Sequence, residues 1–336
     1  MEILNALVLL ANFVLIPAIS YGSQLALGAL GITLIYGILR FSHFAHGDVM
    51  AFGTMLVILV TWALQSAGVS IDPLPTALLA LPIGIIGTAI LLLGTDRVVY
   101  RFYRKVRAAP IVVVMASLGV MFVVNGLVRF IIGPNDQNFA DGARFLFTVR
   151  EFRDYTGLDE GMGIRYSQMI TVAITALVVA LLFWFLNRTR TGKSMRAYSD
   201  NEDLALLSGI NPERVVTVTW LVVAVLVTVA GTLYGLDKSF KPFTYFQLLL
   251  PMFAAAILGG LGNPLGALAG AFVIALSEVG VTYAFRKFFQ YLLPESMEPS
   301  SLLQLLSTDY KFAVSFVLLV LVLLFRPTGL FKGQSV

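Results

Sequence analysis

Long stretches without a charge alternate with short polar segments along this chain, and the alternation predicts helices that cross a membrane. A helix needs roughly 20 apolar residues to span about 30 Å of hydrocarbon. Val49 to Ala67, Leu74 to Thr95, Pro110 to Ile132, Ser167 to Leu186 and Val215 to Leu236 each predict one crossing. Ile3 to Leu39 carries no charge. As one helix it would be about 56 Å long, so it is expected to cross twice or fold back, with the break at Pro17 and Tyr21-Gly22-Ser23. Pro242 to Ser277 is also too long for one span and is interrupted at Gly259-Gly260-Leu261-Gly262-Asn263-Pro264. Tyr310 to Phe325 closes the pattern, somewhat short, with Lys311 placed to snorkel. The expected fold is all-α: a polytopic integral membrane protein of about ten membrane segments, with residues 1–336 as one transmembrane domain.

Composition agrees with that reading and narrows the chemistry. Hydrophobic residues make up 58% of the 336 and charged residues 12%, with a mean hydropathy of +0.87, outside the range of soluble globular chains. The absence of cysteine excludes disulfides, thiolate metal sites and cysteine nucleophiles. Met1-Glu2 lacks a basic region and no small-residue cleavage site follows, so the first apolar run is read as a retained span. A formal charge of +4 concentrated in loops gives no footprint for nucleic acid.

Loop charge sets the expected orientation. Arg97 to Arg107 holds five basic residues and no acid, and Asn187 to Arg214 also holds five basic residues, so both are expected in the cytoplasm, in agreement with Arg326 and Lys332. Residues 133–165 carry four basic and six acidic residues and fall on the extracytoplasmic side by parity. About ten segments then place both termini in the cytoplasm. Trp62, Trp184 and Tyr100 lie near span ends, where interfacial aromatic belts form.

The cytoplasmic connection 187–214 is punctuated like a folded element. Ser199-Asp200-Asn201-Glu202 has capping-box spacing, Leu204 and Leu207 then share a face, Gly209 suits a left-handed residue, and Asn211-Pro212-Glu213 restarts a helix. A capped amphipathic helix between two spans serves either as a docking element for a cytoplasmic partner or as an ordinary interfacial tie.

Polar or glycine-rich breaks inside membrane segments point to function, because irregular backbone there must be buried in protein or line a cavity. Phe41 to Asp48 holds both histidines, His43 and His46, beside Asp48. It is read either as a half-helix or re-entrant turn on the pathway or as a solvated turn. A metal is not expected, since these residues offer at most three ligands and no further histidine exists. In Leu258 to Gly270, Asn263 is expected to N-cap a helix with Pro264 at its first position, and Gly262, Gly266 and Gly270 fall four apart on one face. That face predicts a packing seam or a moving gate. Glu278, an acid within apolar sequence, is expected either to serve the pathway or to sit wet at the outer interface.

At these residues the chain resembles the permease subunit of bacterial branched-chain amino acid ABC importers. Ile35-Tyr36-Gly37-Ile38 with Phe44-Ala45-His46-Gly47-Asp48 is similar to the family's "YGI…NFAHGE" stretch, with Asp for Glu. Gly192 to Val215, with Arg196-Ala197 and Leu207-Ser208-Gly209-Ile210-Asn211, resembles its cytoplasmic loop; Ala256 to Gly270 resembles its "AVLGGIGSIPGAMIGG" run, and Phe325-Arg326-Pro327-Thr328-Gly329-Leu330 its C-terminal "MPTGIL". The four motifs are ordered along nearly the whole chain. Asp203-Leu204-Ala205 to Gly209 keeps the spacing of the broader E-A-A-x-x-x-G signature, with Asp for Glu and Leu for Ala. The connection Arg286 to Asp309, which includes Leu292 to Pro299, is longer than the family's usual one.

The resemblance implies two ATP-binding subunits, a second permease subunit, an extracytoplasmic substrate-binding protein, a surrounding lipid bilayer and a bacterial inner-membrane location. It makes residues Gly192, Arg196, Glu202, Asp203, Leu204, Leu207 and Gly209 candidates for ATPase coupling. His43, His46, Asp48, Asn263 and Glu278 remain candidates for the pathway or its gate, and Gly262, Gly266 and Gly270 for helix packing. The chain contains no G-x-x-x-x-G-K-[ST] phosphate loop, so ATP hydrolysis falls to a partner; neither catalysis nor a cofactor is expected of this chain. The competing class is an ion-coupled secondary carrier for a small organic solute, using His46, Asp48 and Glu278. A third, an intramembrane enzyme built on His43, His46 and Asp48, lacks a nucleophile.

Overall fold

An apolar run in a bilayer has no water for its peptide groups, so each crossing must close its own hydrogen bonds as helix. The computed structural model describes residues 1–71, 74–139, 145–293, 301, 303–326 and 328–331; Pro294 to Pro299, Pro327 and Lys332 lie outside the described residues. Among the described residues, nine helices are long and apolar enough to cross a membrane. They are α1 (Glu2–Leu39), α2 (His46–Ser66), α3 (Ala77–Lys105), α4 (Pro110–Ile132), α6 (Tyr166–Arg188), α9 (Pro212–Lys238), α10 (Pro242–Gly259), α11 (Pro264–Thr282) and α13 (Thr308–Phe325). Between them lie the short helices α5 (Val149–Thr156), α7 (Arg190–Asp200), α8 (Glu202–Leu207) and α12 (Arg286–Gln290). One two-stranded antiparallel sheet, β1 (Phe145–Phe147) with β2 (Ile164–Arg165), is the regular strand structure of the described residues.

The first apolar run does not break where expected. It is one helical rod, with π-helical geometry over Ala11–Leu15 just before Pro17. A π turn accommodates the carbonyl that a proline leaves without a donor. Gly22 is a packing site instead of a turn: a Cβ there would lie 2.7 Å from Phe272 Cδ1. The rod enters at the end of the bundle that carries residues 133–165. Asn5 Nδ2 donates to Asp159 Oδ2 at 3.0 Å, and Gly163 N donates to Asn12 Oδ1 at 3.0 Å.

With α1 as a single crossing, nine spans put the two ends of the described chain on opposite faces. Leu330 N donates to Leu258 O at 2.8 Å, and Arg40, at the far end of α1, donates to Ser199 O in α7 at 2.5 Å. Residues 328–331 therefore lie with the 187–214 connection, and Met1 lies at the other end. Residues 332–336 lie outside the described residues, and with them the C-terminal end of the expectation that both termini are cytoplasmic.

The centre of the bundle is α1, α9, α10 and α11, and α2 and α3 pack on α9. Small residues and hydroxyls let these helices approach. Thr228 Oγ1 donates to Thr88 Oγ1 at 2.9 Å, and a Cβ on Gly53 would lie 2.6 Å and 2.7 Å from those same two oxygens. Such interhelical hydrogen bonds contribute about 0.6 kcal/mol each in membranes, so their main effect is to fix register where backbones are close. The lipid-facing sides of α4, α6 and α13 leave Phe122, Phe130, Leu177, Leu181, Phe316 and Leu324 exposed, as a bilayer permits.

Candidate functional site

At the 187–214 end, α6 stops at Arg188 and the chain turns sharply into α7. Gly192 makes the corner possible, because a Cβ there would meet Phe185 O at 2.2 Å. Arg196 Nη1 donates to Asn187 Oδ1 at 2.8 Å across the same corner. These two candidates thus position α7. The projecting surface is α8, where Leu204 is 63% and Leu207 is 86% exposed while Ala205 is buried beneath them.

The capping box expected at Ser199 does not form. Ser199 remains in the last turn of α7, and Asn201, extended at φ −153°, becomes the N-cap: its Oδ1 accepts from Leu204 N at 2.9 Å. Glu202 instead accepts from the Tyr198 hydroxyl at 2.6 Å, and burial together with this carboxylate raises the Tyr198 pKa above the usual phenol range. Gly209 takes the left-handed conformation, φ +80°, and Asn211 caps α9 with Pro212 at its first position.

The backbone leaves helical geometry between α1 and α2, and this break is buried. Arg40 is left-handed at φ 56°, a conformation that costs a side-chain-bearing residue about 1–2 kcal/mol. The following residues carry His43 into a ring cluster. Its Nε2 lies 3.0 Å from the Tyr100 hydroxyl, and its ring meets Trp220 edge-on at 5.3 Å. Tyr100 and Trp220 stack at 5.6 Å with planes 16° apart. His43, His46 and Asp48 are all buried, so this is not a solvated turn.

The three titratable groups do not converge. His43 points to Tyr100, His46 Nε2 lies 3.0 Å from Gly28 O, and Asp48 Oδ1 accepts from Asn125 Nδ2 at 2.5 Å. A carbonyl only accepts, so His46 carries its proton on Nε2. Among the described residues no group of three or more metal-ligating side chains is assembled.

Tyr100 is fully buried, so its expected place in an interfacial belt is corrected; Trp184 is 60% exposed on α6, and Trp62 donates its indole N–H to Asn138 O at 3.1 Å. Asp96, not among the residues singled out from the sequence, accepts from Trp220 Nε1 at 2.8 Å and from Nη1 and Nη2 of Arg104 at 2.5 Å and 2.9 Å. A lone acid between an apolar run and a basic cluster was the available signal.

The second break, residues 260–263, is built from backbone. Gly260 and Gly262 have φ of +104° and +83°. Asn263 caps α11 through Gly266 N at 3.1 Å and donates its amide to Phe331 O at 3.0 Å, so both ends of that side chain are used structurally. A Cβ on Gly266 would sit 2.1 Å from Gly259 O, and one on Gly270 would sit 2.2 Å from Ala255 O, so α10 and α11 touch along their backbones. Gly262 lies ahead of α11, in the turn, and Gly259 takes its place in the seam. Farther along α11, Glu278 is only 1% exposed; it accepts a hydrogen bond from Ser315 of α13. It is therefore not wet at an interface. Lys311 Nζ stands 5.4 Å from the Tyr21 ring centroid in the same neighbourhood.

Comparison with known proteins gives a consistent result across the chain. The family described as branched-chain amino acid transport system / permease component matches residues 14–323. The high-affinity branched-chain amino acid transport system permease protein LivH of Escherichia coli is 28% identical over 95% of this chain and 94% of its own. Its counterpart BraD of Pseudomonas aeruginosa is 29% identical over 96% of each. The galactose/methyl galactoside import permease protein MglC of Haemophilus influenzae is 24% identical over 67% of this chain and 65% of its own. No solved structure matches the chain.

Proposed function

Because this chain belongs to the branched-chain amino acid transport permease family, we propose that it is the membrane-spanning subunit of an ABC importer that carries branched-chain or related amino acids across the bacterial inner membrane. Two ATP-binding subunits dock at the 187–214 end, a second permease subunit completes the membrane part, and an extracytoplasmic binding protein delivers substrate to the 133–165 end. By the positive-inside rule the 187–214 end is cytoplasmic, which leaves Met1 outside and residues 328–331 inside.

The observation that carries the reading is α8. Leu204 and Leu207 point away from the bundle, with Glu202 and Asp203 in the first turn of the same short helix. An exposed apolar pair on a helix capped at both ends fits a groove on a soluble partner. Coupling is assigned to Glu202, Asp203, Leu204 and Leu207, and the corner residues Gly192 and Arg196 hold them in place. His43, His46 and Asp48 belong to the joint at the start of α2.

The test is uptake into vesicles by the co-expressed complex, with and without binding protein and ATP. Uptake of a branched-chain amino acid that depends on both is the expected result. Accumulation driven by an imposed pH gradient without ATP would replace the importer with a carrier. ATP-dependent uptake of a galactoside but of no amino acid would keep the class and overturn the substrate.

A further inference from the structure

We propose that the outer end of the seam between α1 and α9 holds a site for a primary ammonium group, formed by Ser20, Gln24 and Asp237, and that it receives the α-ammonium of the imported amino acid. The proposal rests on the reading of this chain as part of an amino acid importer. It names the side chains that first hold that substrate.

The register of the two helices brings these residues together. A Cβ on Gly31 of α1 would lie 3.8 Å from Val227 Cγ1 of α9, and Gln24 Nε2 donates to Leu233 O at 3.4 Å. Going outward from Gly31 to Gln24 on α1 thus matches going from Val227 to Leu233 on α9, as antiparallel neighbours require. One turn farther out, on the same two faces, stand Ser20 and Asp237, each four residues beyond the Gln24–Leu233 bond. All three side chains are buried: Ser20 and Gln24 are 1% exposed and the Asp237 side chain 3%. Among the described residues, Ser20 Oγ, Gln24 Oε1 and Asp237 Oδ1 have no hydrogen-bond partner.

Buried polar atoms left in this way cost free energy, and Asp237 adds to that cost. It takes a carboxylate out of water in the last turn of α9, where the helix carbonyls already make the potential negative. Lys238, with a half-exposed side chain, lies 3.6 Å from Asp237 Oδ2 and leaves Oδ1 open. What the seam lacks is donors. The Gln24 amide nitrogen is engaged by Leu233 O, amide and carboxylate oxygens only accept, and the Ser20 hydroxyl supplies a single proton. A water molecule donates two hydrogen bonds, whereas an ammonium group donates three and brings a positive charge to Asp237. Three donors meet three open oxygens. The half-exposed Lys238 also puts solvent within one residue of the site, so a ligand from the outer side has a short way in.

The experiment uses the assembled transporter in nanodiscs, without binding protein or ATP, and labelled leucine as the probe in equilibrium binding. Isoamylamine, which is leucine without its carboxylate, and isocaproate, which is leucine without its ammonium, serve as competitors. Isoamylamine is expected to displace leucine and isocaproate is not. Asp237→Asn is expected to weaken leucine binding about tenfold or more, as for loss of a hydrogen bond to a charged group, and Ser20→Ala by a smaller factor. Leucine should raise the thermal midpoint of the parent and not that of Asp237→Asn. Without leucine that variant should unfold no lower than the parent, since it removes a buried charge. If Asp237→Asn does not assemble, the competition in the parent decides. Isocaproate competing as well as isoamylamine, Asp237→Asn binding leucine as the parent does, or no leucine binding by a parent that imports leucine overturns the site. A parent that imports no amino acid with ATP overturns the importer reading instead.

Discussion

The two breaks in this bundle are made of different materials. The joint between α1 and α2 is held by side chains: His43 to Tyr100, Arg40 to Ser199 O, and His46 to Gly28 O. The turn between α10 and α11 is held by backbone, with the Gly259, Gly266 and Gly270 contacts and the bond from Leu330 N to Leu258 O. A side-chain bond can change partner by a rotamer change. A contact between two backbones has no second arrangement, because nothing is free to rotate. The first break is suited to movement, and the second to being the frame that the movement works against.

The comparison is broken most severely at the frame. Gly266→Leu places a side chain where the first atom alone meets Gly259 O at 2.1 Å. Overpacking usually costs about 1–3 kcal/mol, and here no flexible neighbour exists to yield, so the expected outcome is loss of assembled protein, read as the absence of a monodisperse peak after detergent extraction. Normal assembly with altered substrate preference would move this glycine from frame to pathway.

Next in size is the docking surface proposed on α8. Leu204→Glu with Leu207→Glu changes only exposed side chains, so insertion and extraction should match the parent. Coupled uptake should fall about tenfold or more, as for loss of paired apolar anchors in an interface. Measuring uptake beside ATPase-subunit co-purification checks it; parental uptake in the double variant would detach α8 from the energy source.

The frame was more legible in the sequence than the joint, for a physical reason. Gly259 to Pro264 announces itself because left-handed backbone and helix N-caps demand particular residues, and Asn263-Pro264 fulfilled that reading. The joint's partners are distant in sequence: Tyr100 and Trp220 meet His43 only after three helices pack, and a ring at a span end looks the same whether it faces lipid or core. Ser199 and Thr148 make the contrast again. Both precede a glutamate by three residues, yet only Thr148 forms the reciprocal box with Glu151, since Ser199 is already committed to the last turn of α7. The continuous first rod is not legible, because a proline in an apolar run reads as a stop, whereas a π turn over Ala11–Leu15 absorbs it.

A smaller effect is expected at the joint itself. His43→Phe keeps the ring contacts and removes the acceptor or donor facing the Tyr100 hydroxyl, leaving a buried polar atom that costs about 1–3 kcal/mol. Assembly should survive with a lowered midpoint of thermal unfolding and a partial loss of uptake. Collapse of the kind expected for Gly266→Leu would mean that the joint is frame as well.

The smallest effect sharpens what α11 contributes beyond its seam. Glu278 lies on the same helix as Gly266 and Gly270, about two turns beyond Gly270, and its carboxylate accepts from Ser315. In Glu278→Gln the amide oxygen still accepts that bond, so packing between α11 and α13 should be preserved. Only the ionisable proton is lost. An importer powered by ATP needs no proton carrier, so ATP-driven uptake should fall modestly or not at all. A carrier that used this acid as its coupling site would lose all accumulation driven by a pH gradient. Uptake by the Gln variant is therefore measured twice, under an imposed pH gradient and with ATP. Gradient-driven flux in the parent that disappears in the variant, with no ATP-driven flux in either, would make Glu278 the coupling residue of a carrier and turn α11 from frame into machinery.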